Sequence, residues 1–226
     1  RDNSLQSAVC KFTALFLHLC EVKQLCKGFL LYKIGGQYMK HALVLFSSPH
    51  KDGHTKKLLE AFLDGLKGKG WQVKSLDICK VNIHPCIACG YCQKANGCAF
   101  RDLDEFDRDL RACDLLVIAT PVYNLSFPAQ LKAVIDRFQR YFEARFARGI
   151  RPAISTHRDA VLLLTMGRYD PFAVEVCEKT LRQSFSVMNT TLKKTVVLPD
   201  TDRADCENSS IFAKAQEIAI EIAREL

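Results

Sequence analysis

Long apolar runs are missing from this chain. The most apolar stretch near its start, FTALFLHL at residues 12–19, is far shorter than the roughly 20 residues that a helix needs to cross a bilayer. It lacks both the usual basic flank and a clear small-residue cleavage site, which argues against a secretory leader. Two nucleotide-loop fingerprints are missing too: there is no GxxxxGK and no GxGxxG, which excludes a Walker loop and a dinucleotide fingerprint. No Ser-His-Asp set or paired carboxylates stand out. Concentrated charge is also lacking. The formal net charge is +7; residues 1–38 hold five Lys/Arg and two Asp/Glu, so the excess is spread along the chain. Lys193-Lys194 and the Arg145, Arg148, Arg151 stretch read as solvated faces, and no nucleic-acid partner is expected.

Cysteine, by contrast, is plentiful: there are 11 in 226 residues. The chain is too large for a small disulfide-built scaffold, so a reducing, cytoplasmic setting without a membrane partner is expected. At 48% apolar residues the composition is ample for one packed domain. Residues 1–38 fit the remainder poorly. They scatter Cys10, Cys20 and Cys26 without metal-like spacing, and Met39 directly precedes a strong strand. The domain is therefore expected to span 39–226, with 1–38 an extension. A rival reading makes 10–32 an amphipathic helix packed on the domain or a partner.

From Met39 onward strands alternate with helices. Continuous apolar runs at 41–48, 114–121 and 159–167 predict strands covered on both faces. Segment 71–78 alternates as an edge strand does, and 193–199 predicts a short fifth strand. Helices are predicted over 54–70, 103–113, 126–146, 171–188 and 209–226, the last capped by Ser209 or Ser210. Such alternation argues for a parallel sheet with helices on both faces. One common solution is the flavodoxin-like order 2-1-3-4-5, in which ligands bind beyond the carboxyl ends of the strands.

Three loops leave those ends. SSPHKDGHT at 47–55 offers hydroxyls at Ser47, Ser48 and Thr55, donors at His50 and Lys51, and a flexible Gly53. At a helix N-terminus these groups suit a phosphate, although an ordinary polar turn has the same look. The loop beginning TPVYN at 120 presents an aromatic ring, backbone donors and an amide, among which a flat heteroaromatic ring can lie. TMGRYD at 165–170 contains Gly167, which permits close backbone approach or simply a tight turn.

These three loops, in this order and with a cysteine-rich segment at 84–102 between the first two, resemble the NADPH-dependent FMN reductase-like branch of the flavodoxin superfamily. The run Pro-Val-Tyr…Gln-Leu-Lys…Ile-Asp-Arg within 121–137 is the most specific part. The resemblance covers nearly everything from Met39. It implies a flavodoxin-like three-layer sandwich that binds FMN. Ser48, His50, Gly53, His54 and Thr55 would then hold the phosphate. Pro121, Val122, Tyr123 and Asn124 would line the isoalloxazine ring, and Thr165, Met166 and Gly167 would meet its other side. The family usually opens the phosphate loop with Gly-Ser-Pro-Arg; here Ser47 and His50 replace the Gly and the Arg. Because a histidine is charged only part of the time near neutrality, phosphate binding would lean on Lys51 and backbone amides.

The segment PCIACGYCQKANGC places Cys86, Cys89, Cys92 and Cys98 at gaps of two, two and five residues. In the subset called iron–sulfur flavoproteins this spacing ligates a [4Fe-4S] cluster. The residues are consistent with that: three thiolates fall on one side of the loop, a fourth closes the set, and Gly90 and Gly97 give the backbone freedom to wrap. Zinc on the same sulfurs with His84 in reserve, a redox disulfide, and a metal-free loop remain open. Cys79, Cys113 and Cys177 lie in or beside apolar segments and are expected to be buried; Cys206 is expected to be a loop thiol. The resulting expectation is an oxidoreductase with FMN, NADH or NADPH as co-substrate and a homo-oligomeric assembly. A flavodoxin-like electron carrier and a zinc-bearing interaction module are the alternatives. His157, Asp136 and Arg137 are expected to be loop or structural residues, not acid–base catalysts.

Overall fold

The computed structural model describes residues 33–34, 37–203 and 209–226. Most of 1–38, with Cys10, Cys20, Cys26 and the suggested helix, and also Cys206, lie outside the described residues. Just ahead of the main sheet, Lys33–Ile34 pairs antiparallel with Gln37–Tyr38.

The main sheet has five strands: β1 Lys40–Phe46, β2 Trp71–Asp77, β3 Leu115–Pro121, β4 Arg158–Thr165 and β5 Thr190–Leu198. Their spatial order is β2-β1-β3-β4-β5, and every neighbouring pair runs parallel. This is the flavodoxin-like arrangement expected from the alternation of strands and helices. Successive strand residues point to opposite faces, and the core divides accordingly. Leu43, Leu45, Leu116, Ile118, Leu162 and Leu164 serve one apolar cluster. Ala42, Val44, Phe46, Val117, Val161 and Leu163 serve the other. With both faces covered, the three central strands must be apolar throughout, which is why they read as unbroken runs.

One face is covered by α1 (His54–Leu66) and α7 (Ser209–Glu225), through Leu58, Leu59, Phe62, Ala215, Ala219 and Ile222. The other is covered by α3 (Asp104–Ala112), α4 (Ala129–Asp136), α5 (Gln139–Phe146) and α6 (Pro171–Phe185). A single turn, α2 (Tyr91–Lys94), sits in the cysteine-rich segment. Among the described residues, no helix is long and apolar enough to cross a membrane.

Three sequence expectations need correction. The helix expected over 126–146 is two helices, joined at Arg137 and Phe138. The backbone there keeps right-handed helical angles, but the amides of Phe138, Arg140 and Tyr141 bond to Ile135, Arg137 and Phe138. Bonding thus tightens from fourth to third neighbours, as in a 3-10 turn. Apolar spacing runs unbroken through this join, so periodicity could not reveal it. The fifth strand starts at Thr190 and carries an irregularity opposite Ala160 and Val161. Helix α7 begins at Ser209. Cys79 is exposed, because the 3-10 turn Ile78–Lys80 directs Ile78 into the core and Cys79 outward. Cys113 and Cys177 are buried as expected, and burial pushes their thiols up to about 12 and about 11.

Helices α1 and α7 approach closely at Gly65. A Cβ there would lie 2.4 Å from the Gln216 carbonyl oxygen and 2.7 Å from the Ala219 Cβ. Gly→Ala normally favours a helix by about 1 kcal/mol. Here the blocking atom is backbone, and overpacking costs about 1–3 kcal/mol. The expected outcome for Gly65→Ala is net destabilisation, read as a lower denaturation midpoint in urea at an unchanged slope.

Candidate functional site

At the carboxyl edge of the sheet, a cavity of about 470 Å³ opens between four loops. Its walls are Ser48, His50, Gly53, His54 and Thr55 after β1, and Pro121 at the end of β3 with Val122 and Tyr123 after it. Thr165 ends β4, Met166 and Gly167 follow it, and Thr201 and Asp202 follow β5. The loops are sewn together at backbone level. Ser47 N–H donates to the Ala119 carbonyl at 3.0 Å, Val122 to Thr165 at 2.8 Å, Met166 to Leu198 at 3.1 Å, and Thr201 to Met166 at 3.0 Å. Deep in the site the hydroxyls of Thr55 and Thr165 lie 2.7 Å apart. Both residues are buried.

The first loop ends at the N-terminus of α1. Gly53 occupies the capping position with no side chain bonded to the first-turn amides, and the first turn holds no acidic residue. Those amides and the helix dipole therefore favour an anion. Two polar atoms are buried here without a hydrogen-bond partner among the described residues, Ser47 Oγ and His54 Nδ1. An orphaned buried group costs free energy until something pairs with it. An uncapped helix start beside an unpaired hydroxyl and an unpaired ring nitrogen fits the phosphate of a nucleotide such as FMN.

Two sequence candidates are not brought to this wall. Lys51 is exposed on the outside of its turn. Asn124 sits with Leu125 in a two-residue turn, at φ of 50° and 63°, closed by reciprocal bonds of 2.9 and 3.0 Å between Tyr123 and Ser126. Conversely, Thr201 and Asp202 escaped sequence reasoning. A Cβ at Gly167 would fall 2.1 Å from an Asp202 carboxylate oxygen. The missing side chain at Gly167 is thus what admits this acidic group, a role that neither residue's local sequence announces.

The cysteine-rich segment forms a second cavity of about 330 Å³, lined by Cys86, Cys89, Cys92 and Cys98 with Tyr91, Phe100, Asp136, Gln139 and Glu143 among others. Positive φ at Ala88, Gly90 and Gly97 lets the chain curl around it. All four cysteines are free thiols, Cys86 and Cys89 the more exposed. Burial pushes the Cys92 thiol up, and nearby Glu143, Cys98 and Cys86 add to the shift against an opposing backbone hydrogen bond. Among the described residues, no three His, Cys, Asp or Glu side chains converge to hold a single metal ion. His84 is turned elsewhere: its ring stacks on Phe100, with centroids 4.7 Å apart.

Beneath this loop Arg137 is buried and ion-paired with Asp102 at 2.9 Å. Burial alone would push the Asp102 carboxyl up, but the Arg137 guanidinium and the His84 amide outweigh it and hold it below the usual range. Asp136 pairs with Lys132 at 2.7 Å, and His157 is an exposed loop residue whose Nε2 lies 3.0 Å from Thr191 Oγ1.

Fold and cavity together define an α/β sandwich with a nucleotide-sized site on its carboxyl edge. Residues 41–202 match the NADPH-dependent FMN reductase family, and the chain belongs to that family. It is 37% identical over 101 residues to an iron-sulfur flavoprotein of Archaeoglobus fulgidus, covering 44% of this chain and 46% of that protein. It is also 37% identical over 91 residues to an iron-sulfur flavoprotein of Methanosarcina thermophila, covering 40% and 48%. The chain thus spans about half the length of the curated relatives it matches. In fold it is similar to an azoreductase from Bacillus anthracis, with TM-score 0.59 and 20% identity over 83% of this chain and 100% of that one. An NAD(P)H:quinone oxidoreductase from Methanothermobacter marburgensis gives TM-score 0.59 and 21% identity, over 82% and 96%.

The threonine pair can be tested in flavin-free protein. Thr165→Val leaves the Thr55 hydroxyl buried and unpaired, at a cost of about 1–3 kcal/mol. The double Thr55→Val/Thr165→Val variant is expected to lose less than the sum of the singles, as measured by urea denaturation.

Proposed function

We propose that this chain is an FMN-dependent oxidoreductase, moving electrons from NADH, NADPH or a carrier to an acceptor. The observation that carries this reading is the carboxyl-edge cavity, where an uncapped helix start and the unpaired His54 Nδ1, with the unpaired Ser47 Oγ in the same loop, meet the Tyr123 loop and the Gly167 loop. Bound FMN supplies the ability to take electrons in pairs and release them singly, while the protein positions it. Ser48, His50, Gly53, His54 and Thr55 would bind the phosphate. Pro121, Val122 and Tyr123 would lie against one side of the ring, with Asn124 fixing the turn that carries them. Thr165, Met166 and Gly167 would meet the opposite side. Lys51, at the outer rim, would act through its charge alone. Asp202 would set a negative charge beside the cofactor.

Cys86, Cys89, Cys92 and Cys98 would hold a [4Fe-4S] cluster that exchanges single electrons. Their spacing, their shared cavity and the partial likeness to iron-sulfur flavoproteins favour it over zinc. A homo-oligomer is part of the same reading.

Anaerobically purified protein is expected to show flavin absorbance, to oxidise NADH or NADPH, and to contain about four irons per chain. Cys89→Ser is expected to lose the iron and keep the flavin. Ser48→Ala should weaken FMN binding about tenfold, a change of about 1.4 kcal/mol. Flavin without nicotinamide turnover would mark an electron carrier instead. A colourless protein that holds zinc and no flavin would overturn the proposal.

A further inference from the structure

The cysteine-rich segment is closed from below by one side chain. Arg137 Nη1 donates to the His84 carbonyl at 2.8 Å and to Asp102 Oδ2 at 3.2 Å. Its Nη2 donates to the Phe100 carbonyl at 2.9 Å and lies 2.9 Å from Asp102 Oδ1. The guanidinium also sits over the Phe100 ring, 5.5 Å from its centroid. His84 N–H reaches across to Asp102 Oδ2 at 2.8 Å. One guanidinium therefore ties the start of the loop to its end, around all four cysteines.

Within the loop, backbone bonds are local. Gln93 bonds to Gly90 and Ala95 to Tyr91, and no strand pairing reaches 86–98 among the described residues. Such a segment has little of its own to hold it in place. The clasp, in contrast, is costly to break: the Arg137 side chain is 1% exposed, and a buried charge stripped of its partner is strongly unfavourable. Its position is set by the helix join. Asp136 and Gln139, on either side, face the thiol cavity, while Arg137 passes under the loop. A lysine could not make this set of contacts, because it lacks the planar fork.

We infer that Arg137 is a positioning residue for the thiol loop, holding the four cysteines around their cavity by protein contacts alone, before anything binds there. The consequence for cluster loading rests on the [4Fe-4S] reading; the clasp itself does not.

Hydrogen exchange read by mass spectrometry tests it on the full chain, purified free of iron. In the wild type, the hydrogen-bonded amides of His84, Gln93 and Ala95 are expected to be protected. In Arg137→Gln and Arg137→Lys they are expected to exchange about tenfold faster, while peptides of β1, β3 and β4 keep wild-type rates. Asp102→Asn, which removes the charge but keeps the shape, is expected to show the same loop-specific change to a smaller degree. On incubation with ferrous iron and sulfide, the Arg137 variants should load several-fold more slowly than wild type. An unprotected loop in iron-free wild type would overturn the inference without needing any variant. So would wild-type exchange of the loop in Arg137→Gln. If wild type takes up no iron, the cluster reading fails and the exchange result still decides the clasp.

Discussion

Parallel pairing is the constraint on which this molecule depends. Strands that run the same way must be joined by crossovers, so every strand delivers its carboxyl end to one edge. The right-handed hand of those crossovers leaves α1 and α7 on one face and α3 to α6 on the other. The loops after β1, β3, β4 and β5 then converge without any further device. Apolar strands such as Leu43–Leu45 and Leu162–Leu164 carry no chemistry, yet they fix where the chemistry can be.

The thiol loop uses a different principle. It follows β2 at the margin of the sheet, where among the described residues no strand lies on the outer side. What borders it is the helix join after β3, with Gln139 and Glu143 on the cavity wall. The two cavities are thus built by different means: the larger by the convergence of strand ends, the smaller by one loop wrapped over a helix. Loop positions that carry no regular structure are where binding groups concentrate on rigid scaffolds.

Much of this was legible in the chain because burial leaves a mark on composition. Strands covered on both faces must be apolar, so β1, β3 and β4 could be found within a residue or two. The loops after them could be located by default. What stayed hidden was set by contacts distant in sequence. Asp202 belongs to the site only because Gly167 leaves room for it. Lys51 resembles a phosphate ligand in composition, but its turn carries it outward. The join at Arg137 is invisible because Val134, Ile135, Phe138 and Tyr141 continue the apolar stripe without a missing beat. Cys79 was misplaced because a single 3-10 turn inverts which of two neighbours faces inward. The four loop cysteines, close in sequence, line one cavity.

The closure of residues 84–102 at a single point has a consequence for how such a chain can change over time. A loop whose two ends are fixed to the same buried group transmits little of its interior length to the rest of the fold. The entropy of closing it grows only slowly with added residues, by about 0.6 kcal/mol for each doubling. Residues 86–98 can therefore lengthen, shorten, or gain and lose thiols as a removable cassette, while the sheet and the larger cavity are left as they are.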